Sequence, residues 1–133
     1  YEAAAAGGYI AEGDFFSLDM ATATGSTTHT GLSLTPSVAY FSYNPNAATI
    51  GYAFGWMTPG AAAGGRWSGT QNLSTAGLHW YGNTYAQCVV PTGGYQQVWI
   101  SAASAGQYTM SNIRNGTGTG TGYFSIILFG TED

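Results

Sequence analysis

The sequence predicts an all-β protein, an antiparallel β-sandwich of jelly-roll type with eight to ten short strands. Glycine accounts for 21 of the 133 residues and aromatic residues for 15%, and both Gly and β-branched Thr are poor helix formers. Short apolar or alternating segments recur between turn sequences, which is typical of sandwiches. No window of about 12 residues carries an apolar helical stripe with caps.

The candidate strands are identified by alternation and by the turns that bound them. Nine segments qualify, and a tenth lies within residues 22–30. The nine span residues 14–20, 37–44, 49–57, 65–73, 77–81, 84–90, 95–102, 107–114 and 122–129. Pro, which presets φ, and Gly and Asn, which accept positive φ, favour turns between them. These turn sequences are residues 35–36, 44–46, 58–60, 81–83, 91–94 and 115–116.

The chain has the size of one compact domain, 13.8 kDa, and can close a hydrophobic core. We expect residues 14–133 to form a single sandwich domain. Residues 1–13 are expected to form an N-terminal arm or connector, because YEAAAAGG has no amphipathic face. It offers too few apolar contacts to offset ~1–2 kcal/mol of backbone ordering entropy per residue.

The charge composition excludes two classes of partner. Charged residues make up 6% of the chain, two basic and six acidic, and lysine is absent, against a usual share of about 25%. Because no basic stripe can neutralise phosphates, neither nucleic acid nor an anionic membrane surface is expected as a partner. No run approaches the ~20 apolar residues of a membrane helix.

The sequence predicts no catalytic residue, no metal site and no cofactor. Residues 20–131 contain no carboxylate, whereas acid–base catalysis and carboxylate metal sites draw acids from several parts of a fold. His29 is expected to be a solvated loop or edge residue, and His79 a structural one. Cys88 is expected to be buried.

Glu12, Asp14 and Asp19 could together hold a calcium ion with backbone carbonyls. Their spacing matches no calcium-binding loop and lacks a closing bidentate glutamate. A solvated turn is therefore the favoured interpretation of these three carboxylates.

The last predicted strand is apolar on both faces. Tyr123, Ile127 and Phe129 share one face with Ser125, and Phe124, Ile126 and Leu128 share the other. An antiparallel sheet with two apolar faces is covered on both sides. We therefore predict that Tyr123, Ile127 and Phe129 form an assembly interface of a homotrimer or a higher assembly.

Four Trp and ten Tyr residues are either core and interface fillers or ligand contacts. The candidate ligand-binding residues are Trp67, Trp80 and Tyr81. A turn at residues 64–66 would turn Trp67 outward, and Trp80 and Tyr81 precede the turn at residues 82–83. Binding sites of sandwiches commonly lie where such loops cluster.

Three segments, in order, carry a resemblance to a family. The family pattern is a TG-x-GF-x-P turn that leads into an apolar strand, then a Gly-rich strand, and a closing strand of aromatic and apolar residues. The corresponding segments here are TGLSLTPSVAYF at residues 30–41, IGYAFG at residues 50–55 and YFSIILFG at residues 123–130. Leu34 stands where the pattern prefers Phe. Over about residues 14–130 the chain resembles virion-surface proteins of tailed bacteriophages. The resemblance implies a β-sandwich displayed on a capsid or tail fibre, usually as a trimer, and brings no catalytic residues.

Two functions of different classes remain open. The first is a non-enzymatic structural protein on a phage-like virion, either a capsid decoration (cement) protein or a fibre-tip domain. Its partners would be itself, the major capsid protein or tail components, and a host surface glycan. The second is a carbohydrate-binding module or lectin that uses exposed aromatic residues.

Overall fold

The computed structural model describes residues 8–22, 24–45, 51–60, 65–70, 79–82, 85–90 and 94–133. These residues form ten strands, β1 to β10, and contain no helix long and apolar enough to cross a membrane. The strands are Tyr9–Asp19, Gly25–Thr30, Leu34–Pro45, Ala53–Met57, Gly65–Thr70, His79–Gly82, Ala86–Val89, Tyr95–Ser104, Gln107–Asn115 and Thr121–Glu132. Each predicted strand, including the tenth, overlaps one of them, so the predicted all-β fold class is confirmed.

The strands form a β-sandwich of two antiparallel sheets. The six-stranded sheet has the order β1-β10-β3-β4-β5-β6, and the four-stranded sheet has the order β2-β9-β8-β7. The last strand, β10, lies between β1 and β3, and β9 lies between β2 and β8. Strands from the two ends of the chain are neighbours in the same way in a jelly roll. Strands β3 to β6 are consecutive neighbours and form a meander.

The core lies between the sheets and follows from the two-residue period of the strands. Phe124, Ile126 and Leu128 of β10 are buried, as are Val98 and Ile100 of β8. The same core contains other large buried side chains, among them Tyr43 of β3, Tyr108 of β9 and Met20, which follows β1. Cys88 is fully buried, as predicted.

The first strand begins earlier than the sequence predicts. β1 pairs with β10 over its whole length, from Tyr9 opposite Thr131 to Asp19 opposite Thr121. Residues 9–13 are therefore part of the sandwich and not of an arm, because the ladder with β10 and the contact of Ile10 with the core hold them in place. The remainder of the predicted arm, before residue 8, lies outside the described residues.

Two carboxylates of β1 point inward and do not lie in a solvated turn. Glu12 and Asp14 fall on the side of the strand that faces the other sheet, since they alternate with exposed residues. The Glu12 carboxylate accepts a hydrogen bond from the backbone N–H of Ser33 at 2.8 Å. Asp14 accepts one from the Tyr108 hydroxyl at 2.7 Å. Only Asp19 lies at a turn, where it accepts the N–H of Ala21.

Candidate functional site

The outer face of the six-stranded sheet is rich in aromatic residues, and we call it the aromatic face. It follows from the register of β1, β10, β3 and β4, which sets Ile127 beside Tyr40, and Tyr40 beside Trp56. Its large side chains are Tyr9, Phe15, Val38, Tyr40, Tyr52, Phe54, Trp56, Tyr123, Ile127 and Phe129, and between them lie Ser17, Ser42, Asn44, Ser125 and Thr131.

The aromatic face leaves a large apolar area in water. Six of its large side chains are exposed by 39% to 69%, the most exposed being Tyr9 and Phe15. At about 200 Å² for a fully exposed side chain of this size, they leave about 600 Å² uncovered. That is the upper end of the largest apolar patch found on a typical monomer, and such patches commonly mark interaction sites.

Ring contacts hold these side chains in place. Phe15 stacks on Tyr123 with ring centroids 6.2 Å apart, and Tyr52 stacks on Phe54 at 5.8 Å. Tyr40 meets Phe129 edge-on at 5.7 Å. A surface ordered in this way loses little side-chain entropy when it is covered. Asp19, at the end of β1, is the one charged side chain among those described on this face.

The three predicted interface residues lie on the aromatic face. Ile127 is at its centre and 50% exposed. Tyr123 and Phe129 are partly covered by Phe15 and Tyr40. Phe15 and Tyr40 belong to the same surface but are not among the predicted interface residues. Alternation in their own segments indicates an outward direction, but only the strand pairing sets them beside β10.

The predicted ligand-binding residues lie on two neighbouring strands. Trp67 is within β5, where its backbone is opposite Gly55 on one side and Gly82 on the other. It therefore does not follow a turn, since β5 already begins at Gly65. Trp80 and Tyr81 lie in β6 and pair with β5. The structure thus brings the three backbones together, while their side chains lie outside the described part of the chain.

The outer face of the four-stranded sheet has a different character, and we call it the polar face. Most of its side chains carry a hydroxyl or an amide group: Ser26, Thr28, Thr30, Gln87, Gln97, Ser101, Gln107, Thr109 and Ser111. Tyr95 and Ile113 lie among them. Two of its hydroxyls, those of Thr28 and Thr109, form a hydrogen bond of 2.9 Å across the strands. Within this surface Trp99 packs on Tyr85 with ring centroids 4.2 Å apart.

His29 is not the solvated residue that its Thr- and Ser-rich sequence predicts. Its side chain is 16% exposed and packs between Phe16, at 4.3 Å, and Tyr108, at 4.8 Å between ring centroids. Its Nδ1 lies 3.7 Å from the Asp14 carboxylate. Burial lowers the pKa of His29, and the negative charge of Asp14 opposes that shift in part. Strand alternation on β2, the edge strand, turns this ring toward the other sheet.

A cavity of about 40 Å³ lies beside His29, between β1, β2 and β9. Phe16, Leu18 and Met110 supply its apolar wall, and Thr27 and Asn112 are polar neighbours. The Nε2 atom of His29 is buried and has no hydrogen-bond partner among the residues that the structure describes. Among the residues that the structure describes, no three His, Cys, Asp or Glu side chains are grouped to hold a metal ion.

The chain is thus a β-sandwich with two unlike outer faces, one aromatic and one polar. Comparison with protein-family models, with curated proteins and with solved structures finds no match.

Proposed function

We propose that this protein is a non-enzymatic structural protein on the surface of a phage-like virion, either a capsid decoration protein or a fibre-tip domain. In this proposal it assembles with itself, as a homotrimer, and binds a capsid or tail protein of the particle. The observation that carries the proposal is the aromatic face around Tyr123, Ile127 and Phe129.

The size of the aromatic face supports assembly. Its six most exposed large side chains leave about 600 Å² of apolar surface, and a stable protein interface covers about 800 Å² on each partner. The partly exposed rings of Trp56, Tyr123 and Phe129 and the exposed serine and asparagine residues between them add to this area. A subunit interface of this composition resembles the core of obligate interfaces, which are more apolar than the rest of a protein surface.

The distribution of charge favours a second copy of the same chain as the partner. The protein carries a formal net charge of −4, so copies repel one another at any contact that contains carboxylates. Asp19 lies at the margin of the aromatic face, and Glu12 and Asp14 face the interior. Two such faces therefore meet without like charges opposite each other.

The charged residues of the edge strand β1 favour self-assembly through the aromatic face and disfavour the addition of a strand from another chain at this edge. Edge strands with inward-pointing charged residues are protected against pairing with another chain. In β1 these residues are Glu12 and Asp14. Asp14 also accepts a hydrogen bond at 2.9 Å from the backbone N–H of Phe15, which removes that group from any new ladder.

Sedimentation velocity of the full chain at micromolar concentration tests the proposal. We expect a discrete oligomer for the wild type and its loss in Ile127→Asp, because an unpaired carboxylate buried in the interface costs several kcal/mol. Thr28→Asp introduces the same charge at an exposed position of the polar face and is the matched control. A dispersed wild-type monomer, or equal effects of both substitutions, would contradict self-assembly.

The alternative function is a free carbohydrate-binding module or lectin. It predicts a monomer that binds glycans through aromatic residues, with Trp67, Trp80 and Tyr81 as the sequence-derived candidates. Glycan binding and thermal melting of Trp67→Ala and Trp80→Ala test these candidates: lost binding with unchanged melting supports a site there, and lowered melting without glycan binding by the parent protein contradicts it.

A further inference from the structure

We propose that the polar face binds a neutral saccharide, with Trp99 and Tyr85 as the aromatic surface on which a sugar ring stacks. This site is distinct from the aromatic face, and it does not include Trp67, Trp80 or Tyr81. It does not depend on self-assembly, because it lies on the opposite side of the sandwich.

The register of β7 and β8 brings the two rings together. Ala86 is opposite Val98, and Gln87 is opposite Gln97, so Tyr85 comes beside Trp99 one step further along the pair. The ring centroids are 4.2 Å apart with a tilt of 33°. Each ring remains partly exposed, and each restricts the motion of the other. The aromatic surface is therefore ordered before any ligand arrives.

Hydroxyl and amide groups surround this aromatic pair. Ser111 of β9 is opposite Trp99; it is 8% exposed, and its hydroxyl donates to that of the more exposed Ser101 at 2.7 Å. Gln87 and Gln97 lie two residues away from the rings on the same side of their strands. Within the described part of the chain, no hydrogen bond occupies the side-chain amides of these two glutamines.

This arrangement matches the chemistry of a sugar. One face of a pyranose ring carries C–H groups, which are attracted to the negative face of an aromatic ring. The hydroxyls at the edge of the sugar both donate and accept, as do the amide of a glutamine and the hydroxyl of a serine. A site with one apolar platform and a few placed polar groups is typical of small-molecule recognition.

The ligand class follows from charge and size. Among the side chains described on the polar face there is no Asp, Glu, Lys or Arg, so the site offers no ion pair to a sialylated or sulfated glycan. The large apolar side chains described on this face, Tyr85, Tyr95, Trp99 and Ile113, are each only partly exposed, so their apolar area is too small for a stable protein interface. A neutral saccharide of one or two sugar units satisfies both conditions.

The test begins with the wild-type full chain on a glycan array. The neutral set contains oligosaccharides of glucose, galactose, mannose and N-acetylglucosamine, and the charged set contains sialylated and sulfated glycans. We expect binding within the neutral set that changes little between low and high salt, because no ion pair is involved. Absence of binding to the neutral set, or binding to the charged set alone, would overturn the proposal.

Variants then locate the site by calorimetric titration with the neutral oligosaccharide found on the array. We expect Trp99→Ala to weaken binding by about tenfold or more, and Gln97→Ala to weaken it measurably. Thr28→Ala, at an exposed position of the same face two strands away, should leave the affinity unchanged.

Thermal melting of each variant separates lost binding from lost folding. If Trp99→Ala fails to fold, the double variant Gln87→Ala with Gln97→Ala decides in its place. Wild-type affinity in a folded Trp99→Ala protein, or in that double variant, places the sugar elsewhere and overturns the proposal. The oligomeric state is measured separately, so failure here leaves self-assembly unaffected.

Discussion

Gln96 is the buried polar side chain whose replacement should cost the most stability. It is fully buried in β8, and its amide nitrogen donates to the backbone carbonyls of Met20, at 3.0 Å, and Thr22, at 2.8 Å. Its carbonyl oxygen accepts a hydrogen bond from the Asn112 amide at 3.1 Å. One side chain thus fastens the turn after β1 in the first sheet to two strands of the second.

Replacement of Gln96 by leucine keeps the volume and removes all three hydrogen bonds. A buried group that loses its partner costs about 1–3 kcal/mol: the Met20 carbonyl and the Asn112 amide lose this bond inside the core, and the carbonyl of the exposed Thr22 loses it at the lower end of that range. Burial of an apolar side chain returns about 1.5–3 kcal/mol. We therefore expect a net loss of about 3 kcal/mol, a large fraction of the roughly 5–15 kcal/mol that holds a domain folded.

Urea denaturation followed by tryptophan fluorescence measures this loss, and thermal melting should show a decrease of about 10 °C. The matched control is Gln97→Leu, the same substitution one residue later, where the side chain faces outward. We expect that control to change the unfolding free energy by no more than about 0.5 kcal/mol. Equal effects of the two substitutions, or a loss below about 1 kcal/mol for Gln96→Leu, would refute the role assigned to this network.

Two further outcomes are expected. Because burial lowers the pKa of His29, folding favours its neutral form. Its contribution to the free energy of unfolding is complete above the unfolded pKa of about 6.5. This contribution is lost as the pH falls from that value toward the lower pKa of the folded state. Melting at pH 7.5 and pH 5 should show a smaller decrease for His29→Phe than for the wild type, and an equal decrease would contradict the assignment. Gly122→Ala should lower stability by about 1–3 kcal/mol, because the added Cβ collides with the Tyr43 ring. In Gly13→Ala the nearest atom is 3.9 Å away, so this control should melt close to the wild type.

Much of the fold could be predicted because its signals are local. Turn residues and two-residue alternation are properties of short segments, and they located ten strands. The same alternation assigned Phe124, Ile126 and Leu128 to the interior and Ile127 to the outside, as the structure has them. The predicted burial of Cys88 is also confirmed.

The errors occurred where the deciding contacts are distant in sequence. Residues 9–13 have no local strand pattern strong enough to distinguish them from an arm, and only the ladder with residues 127–131 orders them. His29 lies among small polar residues, and its burial comes from Phe16 and Tyr108, which belong to two other strands. Glu12 and Asp14 face inward by strand alternation, and only the fold supplies the hydrogen bonds from Ser33 and Tyr108 that their carboxylates accept there.

The candidate sites divide in the same way. The sequence by itself determined that β10 is apolar on both sides and that the chain has few charges, since both are properties of composition and period. Only the tertiary structure decided that Phe15, Ile127 and Tyr40 form one surface, or that Tyr85 packs on Trp99. Strand order and register depend on which distant segments pair, and the free energy of that choice comes from packing across the whole sandwich and not from any one segment.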